Sequence, residues 1–437
     1  MSCTSFRVVL LSNLLLALVL TLGCRPAKPE PAARARASTA LAATSAAPSA
    51  SSLLPDESCR LPPEAERALR ELGAIPLRMP LTDYGQTRAT SSCYFAVSPE
   101  NEDAVARVVR VARELRLPIR VRGRAHSANG SSLPAERELL LSTNRLNELA
   151  FERPGSVDAG AGIAVQSIDG ALRGLGFSLP VINDGAAGPT LGGYISAAGM
   201  GSGSREHGGL WANVESIVLV TGTGEIRRIQ AKDPDFLWVF GAMGQLGVIV
   251  AARLVIVPAG SARDYPLGQR RRVDSGSNDV RRALGNGPNT QERLRWFTLL
   301  TKPERKAEAR RALEALVERH GSALGFRAIY EYAFRQTGSV PPLFFDQGPA
   351  LVALGVWGDM KPGTSPETLV ALERDFMDLI RSGGYRRYIQ SETPSGPGLY
   401  ESYFGARLYG EFRERKLRYD PDQLLNRGAV FAVAPGH

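Results

Sequence analysis

The stretch that most constrains this chain is residues 120–132, which read RVRGRAHSANGSS. Around its start, Ile119 and Val121 alternate with Arg120 and Arg122. An apolar residue at every second position predicts a half-buried β-strand. The strand must therefore end where the alternation stops, and the chain must turn there.

The turn consists of small residues, begins at Gly123 and has His126 at its centre. Glycine has no Cβ, so such a turn lets a bulky ligand approach the backbone. Successive N–H groups in it form an anion-binding nest that suits a pyrophosphate. Taken alone, the pattern leaves two interpretations of His126 open: a hydrogen-bonded structural residue or a ligand-binding residue.

Length and composition are those of a globular protein with two or three domains, at 437 residues, 43% hydrophobic and 22% charged. The net charge is +9, of which residues 1–55 carry +4, so residues 56–437 carry a modest +5. We interpret the basic run Arg270–Arg272 as a solvated face rather than a nucleic-acid contact. Four histidines and four cysteines form no pattern typical of a zinc site.

The first 24 residues resemble a targeting segment, with Arg7 before an apolar run that ends at Gly23-Cys24. A short apolar core before a small residue predicts a signal peptide. Gly23-Cys24 resembles a lipobox, in which Cys24 would carry the lipid; cleavage without lipidation is the alternative. Residues 25–55 are rich in Ala, Ser and Pro, which predicts a disordered tether. We therefore expect export and contact with a membrane only through a lipid anchor.

Two cysteines follow the tether, Cys59 and Cys93. An oxidising compartment permits a disulfide between them. Two free buried thiols are the alternative, and the sequence does not decide between them.

Hydrophobic periodicity predicts alternating helices and strands along the rest of the chain. We expect Asp169 to lie on the solvent-exposed surface of the predicted helix Gln166–Leu175. The predicted helices are Pro62–Leu72, Glu102–Leu115, Gln166–Leu175, Asp233–Phe240, Pro303–His320 and Pro366–Ile380. The predicted strands are Arg120–Arg122, Leu139–Leu141, Ser156–Ala164, a hairpin over Val214–Arg228, Val248–Val257, Leu294–Leu300, Leu324–Tyr332, Leu351–Trp357 and Tyr385–Ile389.

The loop RGRAHSANG resembles the flavin-attachment loop of the vanillyl-alcohol oxidase and p-cresol methylhydroxylase (PCMH) flavoproteins, and most of all that of the cytokinin dehydrogenases. Three further stretches resemble motifs of this superfamily. They are the Gly-rich residues 181–214 with Thr190-x-Gly192-Gly193-x-x-Ser196, the segment GAMGQLGVI at residues 241–249, and KLRYDP at residues 416–421.

The resemblance implies an α+β fold with three parts. A two-subdomain FAD-binding domain of the PCMH type would span residues 56–258. A substrate-binding cap with an antiparallel sheet flanked by helices would span residues 259–394, and residues 395–437 would return to the FAD domain. The same resemblance implies that FAD is bound covalently through His126. The other cofactor contacts that it implies are Gly123, Arg124, Ala125, Ser127, Ser131, Asp184, Thr190, Gly192, Gly193, Ser196, Met200, Ile249 and Tyr388.

The family's chemistry implies hydride transfer from a C–H next to nitrogen or oxygen of a small substrate to flavin N5. A carboxylate would accept the N–H or O–H proton, and Asp184 is the residue that the resemblance indicates. Asn183-Asp184-Gly185 is also ordinary turn sequence, and Tyr330 and Glu331 are alternatives. Oxygen or a quinone-like carrier would reoxidise the flavin.

The sequence departs from the family pattern at several points. No cysteine precedes Thr190, so a second covalent bond to FAD, as in berberine-bridge-type relatives, is not expected. Two family glutamines are missing, and Ser131 stands in place of one. The cap is also short. Three functions therefore stay open: oxidation of a secondary amine, oxidation of a sugar, alditol or other alcohol, and ligand binding without catalysis.

Overall fold

The computed structural model describes most of the chain after residue 60. The described residues are 61–86, 88–90, 93–183, 188–260, 265–273, 284, 294–321, 324–335, 338–343, 350–361, 363–389, 391 and 399–429. The predicted signal peptide and tether and the candidate base Asp184 lie outside them. Within the described residues, no helix is both long and apolar enough to cross a membrane.

Eighteen strands are present in the described residues. In chain order they are β1 Ile75–Leu77, β2 Leu81–Thr82, β3 Ala89–Thr90, β4 Tyr94–Val97, β5 Ile119–Arg122, β6 Leu139–Ser142, β7 Glu148–Ala150, β8 Ser156–Gly160, β9 Phe177–Ser178, β10 Val214–Val220, β11 Ile226–Gln230, β12 Val248–Val255, β13 Val257–Pro258, β14 Arg270–Arg272, β15 Leu294–Thr301, β16 Leu324–Arg335, β17 Ala350–Met360 and β18 Arg386–Arg387.

Ten α-helices accompany them in the described part of the chain, with short 3₁₀ turns at Leu210–Asn213 and Pro303–Arg305. In chain order they are α1 Pro63–Glu71, α2 Glu102–Glu114, α3 Val165–Arg173, α4 Leu191–Ser196, α5 Ser204–His207, α6 Phe236–Val239, α7 Lys306–His320, α8 Pro366–Gly383, α9 Leu399–Phe404 and α10 Ala406–Tyr419.

The first sheet has the strand order β1-β4-β6-β5. Strands β4, β6 and β5 are parallel, and helix α2 connects β4 to β5. Asn101 begins that helix by accepting a hydrogen bond from Ala104 N at 2.9 Å. The valines and alanines of α2 pack against the sheet because they recur at helical spacing. This βαβ unit directs β5 into the His126 turn.

The second sheet is antiparallel and has the order β11-β10-β12-β8-β7-β14. Its last strand is the basic run Arg270–Arg272, which lies exposed at the edge. Arg270 pairs there with Glu148 at 2.8 Å and with Glu152 at 2.7 Å. Charged side chains on an exposed edge strand discourage pairing with other chains.

The third sheet is also antiparallel, with the order β16-β17-β15-β18. On β15, Phe297 and Leu299 pack against helices α7 and α8, whereas Trp296 and Leu300 face the other way. Helix α8 begins as predicted, because Ser365 accepts a hydrogen bond from Thr368 N at 3.3 Å. The predicted α+β class, with an antiparallel sheet flanked by helices, is confirmed.

The C-terminal segment returns to the first sheet. Ile119 N donates to Leu424 O at 2.9 Å, and Asn426 N donates to Ile119 O at 2.9 Å. Lys416 and Asp420 form a buried ion pair at 2.5 Å, and Lys416 also donates to two backbone carbonyls. This buried pair holds the last turn of the described chain against β5.

Two expectations about charged residues are wrong. Asp169 is only 6% exposed. It accepts hydrogen bonds from Ser178 Oγ at 2.7 Å and from Leu179 N at 2.9 Å, which anchors the segment after α3. Arg120 and Arg122 are buried, although the alternation on β5 predicted that one face would be solvated.

The structure also decides the state of one cysteine. Cys93 is disulfide-bonded, so it is not a free thiol. Its partner lies outside the described residues.

Candidate functional site

The two buried arginines of β5 support the His126 turn from behind. Arg120 forms a two-point ion pair with Glu138, at 3.1 and 3.2 Å, and donates to Ser131 O at 3.2 Å. Arg122 donates to Ser132 Oγ at 3.3 Å. Burial lowers the pKa of Arg122 to about 10, so it stays charged at neutral pH. The hydrogen bonds of these two guanidinium groups make their burial tolerable and fix the position of the turn.

The turn itself is held in an unusual backbone conformation. Ala125 has a φ of 55°, a left-handed value that costs a residue with a side chain about 1–3 kcal/mol. Asn129 Nδ2 donates to Ile389 O at 3.0 Å, which connects the turn to the third sheet. Such local strain is typical of ligand-binding segments.

His126 is half-buried in this turn and lies against an aromatic ring. Its imidazole stacks on Tyr84, with 4.2 Å between ring centroids and 29° between ring planes. Burial is the main cause that lowers the pKa of His126 to about 4, and the charge of Arg124 contributes. The imidazole is therefore neutral at physiological pH, as a nucleophilic ring nitrogen must be.

The second Gly-rich stretch forms the opposite wall. Thr190 begins helix α4 and accepts a hydrogen bond from Gly193 N at 3.3 Å. Ser196 Oγ donates to Gly192 O at 2.7 Å. A Cβ on Gly123 would lie 2.3 Å from Thr190 Oγ1, so the two loops meet as closely as glycine allows.

Asn426, in the C-terminal turn, connects this turn and residues 243–245 to the end of β5. Val121 N donates to its Oδ1 at 2.8 Å, and its Nδ2 donates to Met243 O at 3.1 Å. Gln245 Nε2 donates to Asn426 O at 3.0 Å. Asn426 and Met243 both have positive φ, at 45° and 51°. Asn426 thus connects β5, residues 243–245 and the C-terminal turn through its side chain and its backbone oxygen.

These four segments enclose a cavity, which we call the cofactor cavity. Eleven predicted residues line it: Gly123, Arg124, Ala125, His126, Ser127, Ser131, Thr190, Gly192, Gly193, Ser196 and Ile249. Met243, Gly244 and Gly247 also line it, and they belong to the segment 241–249 whose backbone the resemblance places against the flavin. The prediction missed Val121, Ser132, Thr143, Pro189, Ala197 and Asn426.

The lining of the cofactor cavity is compatible with FAD. It consists mainly of glycine, alanine, serine and threonine, which present backbone and short side chains. The described lining residues include Arg124 and no carboxylate, so nothing among them repels a pyrophosphate. His126 lies within reach of a ligand in this cavity because it is one of the lining residues.

A second cavity of about 280 Å³, the aromatic cavity, adjoins the first and shares His126 and Pro189 with it. Predicted residues Met200 and Tyr388 line this cavity rather than the first. The other lining residues are Asn183, Tyr194, Trp296, Thr298, Tyr330, Tyr332, Ala353 and Trp357. The aromatic pattern of the cap strands was a signal for this cavity that the sequence analysis did not use.

The aromatic rings of this cavity contact one another. Trp296 stacks on Trp357 at 5.3 Å with 16° between the ring planes. Tyr388 meets Trp296 edge to face at 5.7 Å, and Tyr84 meets Trp357 in the same way at 6.5 Å. Tyr84 therefore contacts both His126 and the aromatic cavity.

The structure separates the two alternative bases of the cap. Glu331 points away from the aromatic cavity and pairs with Lys306 at 2.9 Å and Arg310 at 3.0 Å. It lies on the other face of β16 because neighbouring strand residues point to opposite sides. The suggestion that Glu331 is the base is therefore wrong. Tyr330 does line the cavity, but burial raises its pKa to about 12, which makes it a poor base at neutral pH.

Comparison with known proteins explains the cofactor cavity. Residues 94–230 match the FAD binding domain family. This part of the chain is a FAD-binding domain. The resemblance of its loops to those of the PCMH-type flavoproteins is thereby confirmed. The matched FAD-binding domain contributes both loops that meet at Gly123 and Thr190.

Several curated relatives are oxidoreductases. An uncharacterized oxidoreductase of the fasciation locus of Rhodococcoides fascians is 32% identical over 39% of this chain and 39% of its own length. Cytokinin dehydrogenase 7 of Oryza sativa subsp. japonica is 32% identical over 41% of this chain and 35% of its own length. D-arabinono-1,4-lactone oxidase of Eremothecium gossypii is 32% identical over 37% and 31%. The chain thus spans about a third to two-fifths of the length of these curated relatives.

Proposed function

We propose that the protein is a FAD-dependent oxidoreductase that oxidises a small organic molecule bound in the aromatic cavity. The observation that carries this proposal is that the two cavities share His126 and Pro189. A cofactor held by the FAD-binding domain would then lie beside a substrate held by the cap. When bound, FAD supplies the acceptor for a hydride from the substrate carbon.

We propose that His126 holds the cofactor by a covalent bond to its 8α-methyl carbon. The lowered pKa of His126 supports this role because only a neutral ring nitrogen can form the bond. The stacking on Tyr84 supports it too, since it fixes the plane of the imidazole. Gly123 and Thr190 would bring backbone against the cofactor.

We propose Asp184 as the base that accepts the substrate proton. Its neighbour in the sequence, Asn183, lines the aromatic cavity, which supports this role for Asp184. The described lining residues include no carboxylate, and Glu331 points elsewhere. A base next to the cavity is needed because loss of hydride and loss of a proton occur together in this oxidation.

The lining favours an amine of the cytokinin-dehydrogenase type over a sugar or alditol. A polyol needs a hydrogen-bonding partner for each hydroxyl group, whereas much of the described lining consists of aromatic rings. Oxygen or a quinone-like carrier would reoxidise the flavin. The apolar residues 8–22 and Gly23-Cys24 support export and a lipid anchor at the cell envelope.

The experiment that tests this proposal is anaerobic reduction of the purified full-length protein. A panel of secondary amines, benzylic alcohols and alditols is added, and loss of the flavin absorbance is followed. We expect at least one uncharged amine to bleach the flavin and Asp184→Asn to slow this step by about 100-fold or more. Bleaching by alditols alone would favour the alcohol oxidase alternative. A flavin that no compound reduces would contradict the enzymatic proposal.

A further inference from the structure

Three residues form a row across the third sheet where it faces the aromatic cavity. In the strand register, Gly355 of β17 lies between Thr298 of β15 and Tyr330 of β16. A Cβ on Gly355 would lie 2.0 Å from Tyr330 Cζ and 2.1 Å from its hydroxyl oxygen. The tyrosine ring therefore lies over the glycine, and its hydroxyl group reaches across β17 to Thr298 of β15.

The Tyr330 hydroxyl group makes two short hydrogen bonds there. Trp296 Nε1 donates to it at 2.6 Å, and its oxygen lies 2.6 Å from Thr298 Oγ1. Burial raises the pKa of Tyr330 to about 12, so the phenol keeps its proton. The group of Trp296, Tyr330 and Thr298, which we call the donor chain, is thus protonated throughout the neutral range.

Counting hydrogens shows that the donor chain has one to spare. It holds one indole N–H and two O–H groups, but only two hydrogen bonds connect its members. An indole nitrogen only donates. A phenol is a stronger acid than an alcohol, so Tyr330 donates to Thr298 rather than the reverse. All bonds then run in one direction and strengthen one another, and the hydrogen that is left belongs to Thr298.

Thr298 lines the aromatic cavity, so this hydrogen is available to a ligand. The rest of the described lining is mostly aromatic, with Asn183 and His126 as further polar side chains, and contains no Asp, Glu, Lys or Arg. Aromatic faces favour flat apolar rings. A charged ligand would lose its hydration without gaining an ionic partner, which is costly.

We propose that the substrate of the aromatic cavity is an uncharged molecule with a flat unsaturated ring and an acceptor atom that binds the Thr298 hydroxyl group. Thr298 is then a specificity-determining residue, and Tyr330 and Trp296 position its hydrogen. The inference rests on the proposed function in one respect: it takes the ligand of this cavity as the substrate. A 2-hydroxy acid or another carboxylate is excluded as a good ligand.

Matched probes test this inference by equilibrium dialysis against the full-length protein at neutral pH. Quinoline and naphthalene have the same shape, but only quinoline carries an acceptor nitrogen; 2-naphthoate adds a negative charge. One hydrogen bond is worth about 1 kcal/mol, so we expect quinoline to bind about 5- to 10-fold more tightly than naphthalene. We expect 2-naphthoate to bind more weakly than either.

Substitution of the donor then decides the assignment. Thr298→Val keeps the shape of the side chain and should reduce quinoline binding to the level of naphthalene, with naphthalene binding unchanged. Thr301→Val is the control, because Thr301 is a buried threonine of the same strand outside the cavity lining. It should keep the preference for quinoline. A preference that survives Thr298→Val, or tight binding of 2-naphthoate, would overturn the proposal.

Flavin content measured on the same samples keeps the two proposals apart. Protein without flavin that still prefers quinoline would contradict the proposed oxidoreductase and leave the ligand assignment intact. Flavin-loaded protein that binds quinoline no more tightly than naphthalene would contradict the ligand assignment and leave the proposed oxidoreductase intact.

Discussion

The two cavities that meet at His126 are built in opposite ways. Short side chains and backbone from loops form the cofactor cavity, and at Gly123 the loops meet so closely that a Cβ would collide with Thr190. Large rings on neighbouring strands form the aromatic cavity, where Tyr330 lies over Gly355. A wall of backbone tolerates little change, whereas a wall of side chains changes with single substitutions. The cofactor cavity is therefore the part that tolerates the least change, and the aromatic cavity is the part in which single substitutions alter the lining most easily.

The largest expected effect is a loss of stability when a cluster of Arg88, Arg295 and Glu373 is broken; we call it the Glu373 cluster. Glu373 on α8 accepts from Arg295 on β15 at 3.1 Å and from Arg88 at 3.4 Å. The Arg295 side chain is only 3% exposed, so Glu373→Gln removes a negative charge that faces a buried guanidinium group. We expect the free energy of unfolding to fall by about 3–5 kcal/mol in urea titrations.

A matched surface pair is the control for that experiment. Arg407 and Glu411 lie 2.6 Å apart, with their side chains 83% and 38% exposed. Glu411→Gln should change the free energy of unfolding by less than about 0.5 kcal/mol. If Glu373→Gln and Glu411→Gln lowered the free energy of unfolding equally, the Glu373 cluster would contribute no more to stability than a surface pair.

The next effect tests the backbone wall of the cofactor cavity. A Cβ at Gly123 collides with the Thr190 hydroxyl group, so Gly123→Ala forces one loop to move. Overpacking of this kind costs about 1–3 kcal/mol, which is about 5- to 150-fold in FAD affinity if the loops hold FAD. Retained flavin per mole of native protein is the measurement.

Two further variants test whether the collision with Thr190 is the cause of flavin loss in Gly123→Ala. In Gly123→Ala with Thr190→Ala, the nearest remaining Thr190 atom is the Cβ at 3.2 Å, so part of the flavin should return. Gly170→Ala places a methyl group in open space on α3 and should retain all the flavin. Full flavin in Gly123→Ala alone would show that the loops adapt.

A smaller effect is expected at the residue that joins the loops. Asn426→Ala removes the acceptor of Val121 N and the donor to Met243 O, and it leaves alanine at a φ of 45°. We expect the free energy of unfolding to fall by about 1–3 kcal/mol in urea. Asn426→Gly removes the same bonds but accepts the positive φ, so it should be the milder variant. The reverse order would contradict the role of backbone strain.

The smallest expected effect is an absence of pH dependence. His126 has a lowered pKa of about 4, so its imidazole is already neutral well below pH 7. The rate of covalent flavin attachment to flavin-free protein should therefore be flat between about pH 6 and pH 8. An unperturbed histidine, with a pKa of about 6.5, would give about a fourfold rise over that range. Such a rise would contradict the buried, neutral state of His126.

The contrast between the cavities also explains what could be predicted from sequence. The cofactor cavity consists of contiguous loops, so RGRAHSANG and Thr190-x-Gly192-Gly193 indicated most of its lining. Asn426 was not predicted as a lining residue because its role depends on the packing of the C-terminal turn against β5. That is a contact between distant parts of the chain.

The aromatic cavity could not be predicted in the same way. Trp296, Tyr330 and Trp357 lie on three strands, and only the pairing register brings them together. The burial of Arg120 and Arg122 was missed for a related reason. Alternation along β5 shows which residues share a face, but not whether a partner such as Glu138 covers that face.

The most direct test of the central claim is a denaturing gel of the full-length protein, soaked in acid and viewed for flavin fluorescence, beside His126→Ala. The account predicts a fluorescent wild-type band that is absent from the His126→Ala lane, while Gly170→Ala stays fluorescent. A dark wild-type band from a yellow native solution would mean that FAD is held without a bond to His126. A colourless protein from cells supplied with riboflavin would contradict the cofactor assignment itself.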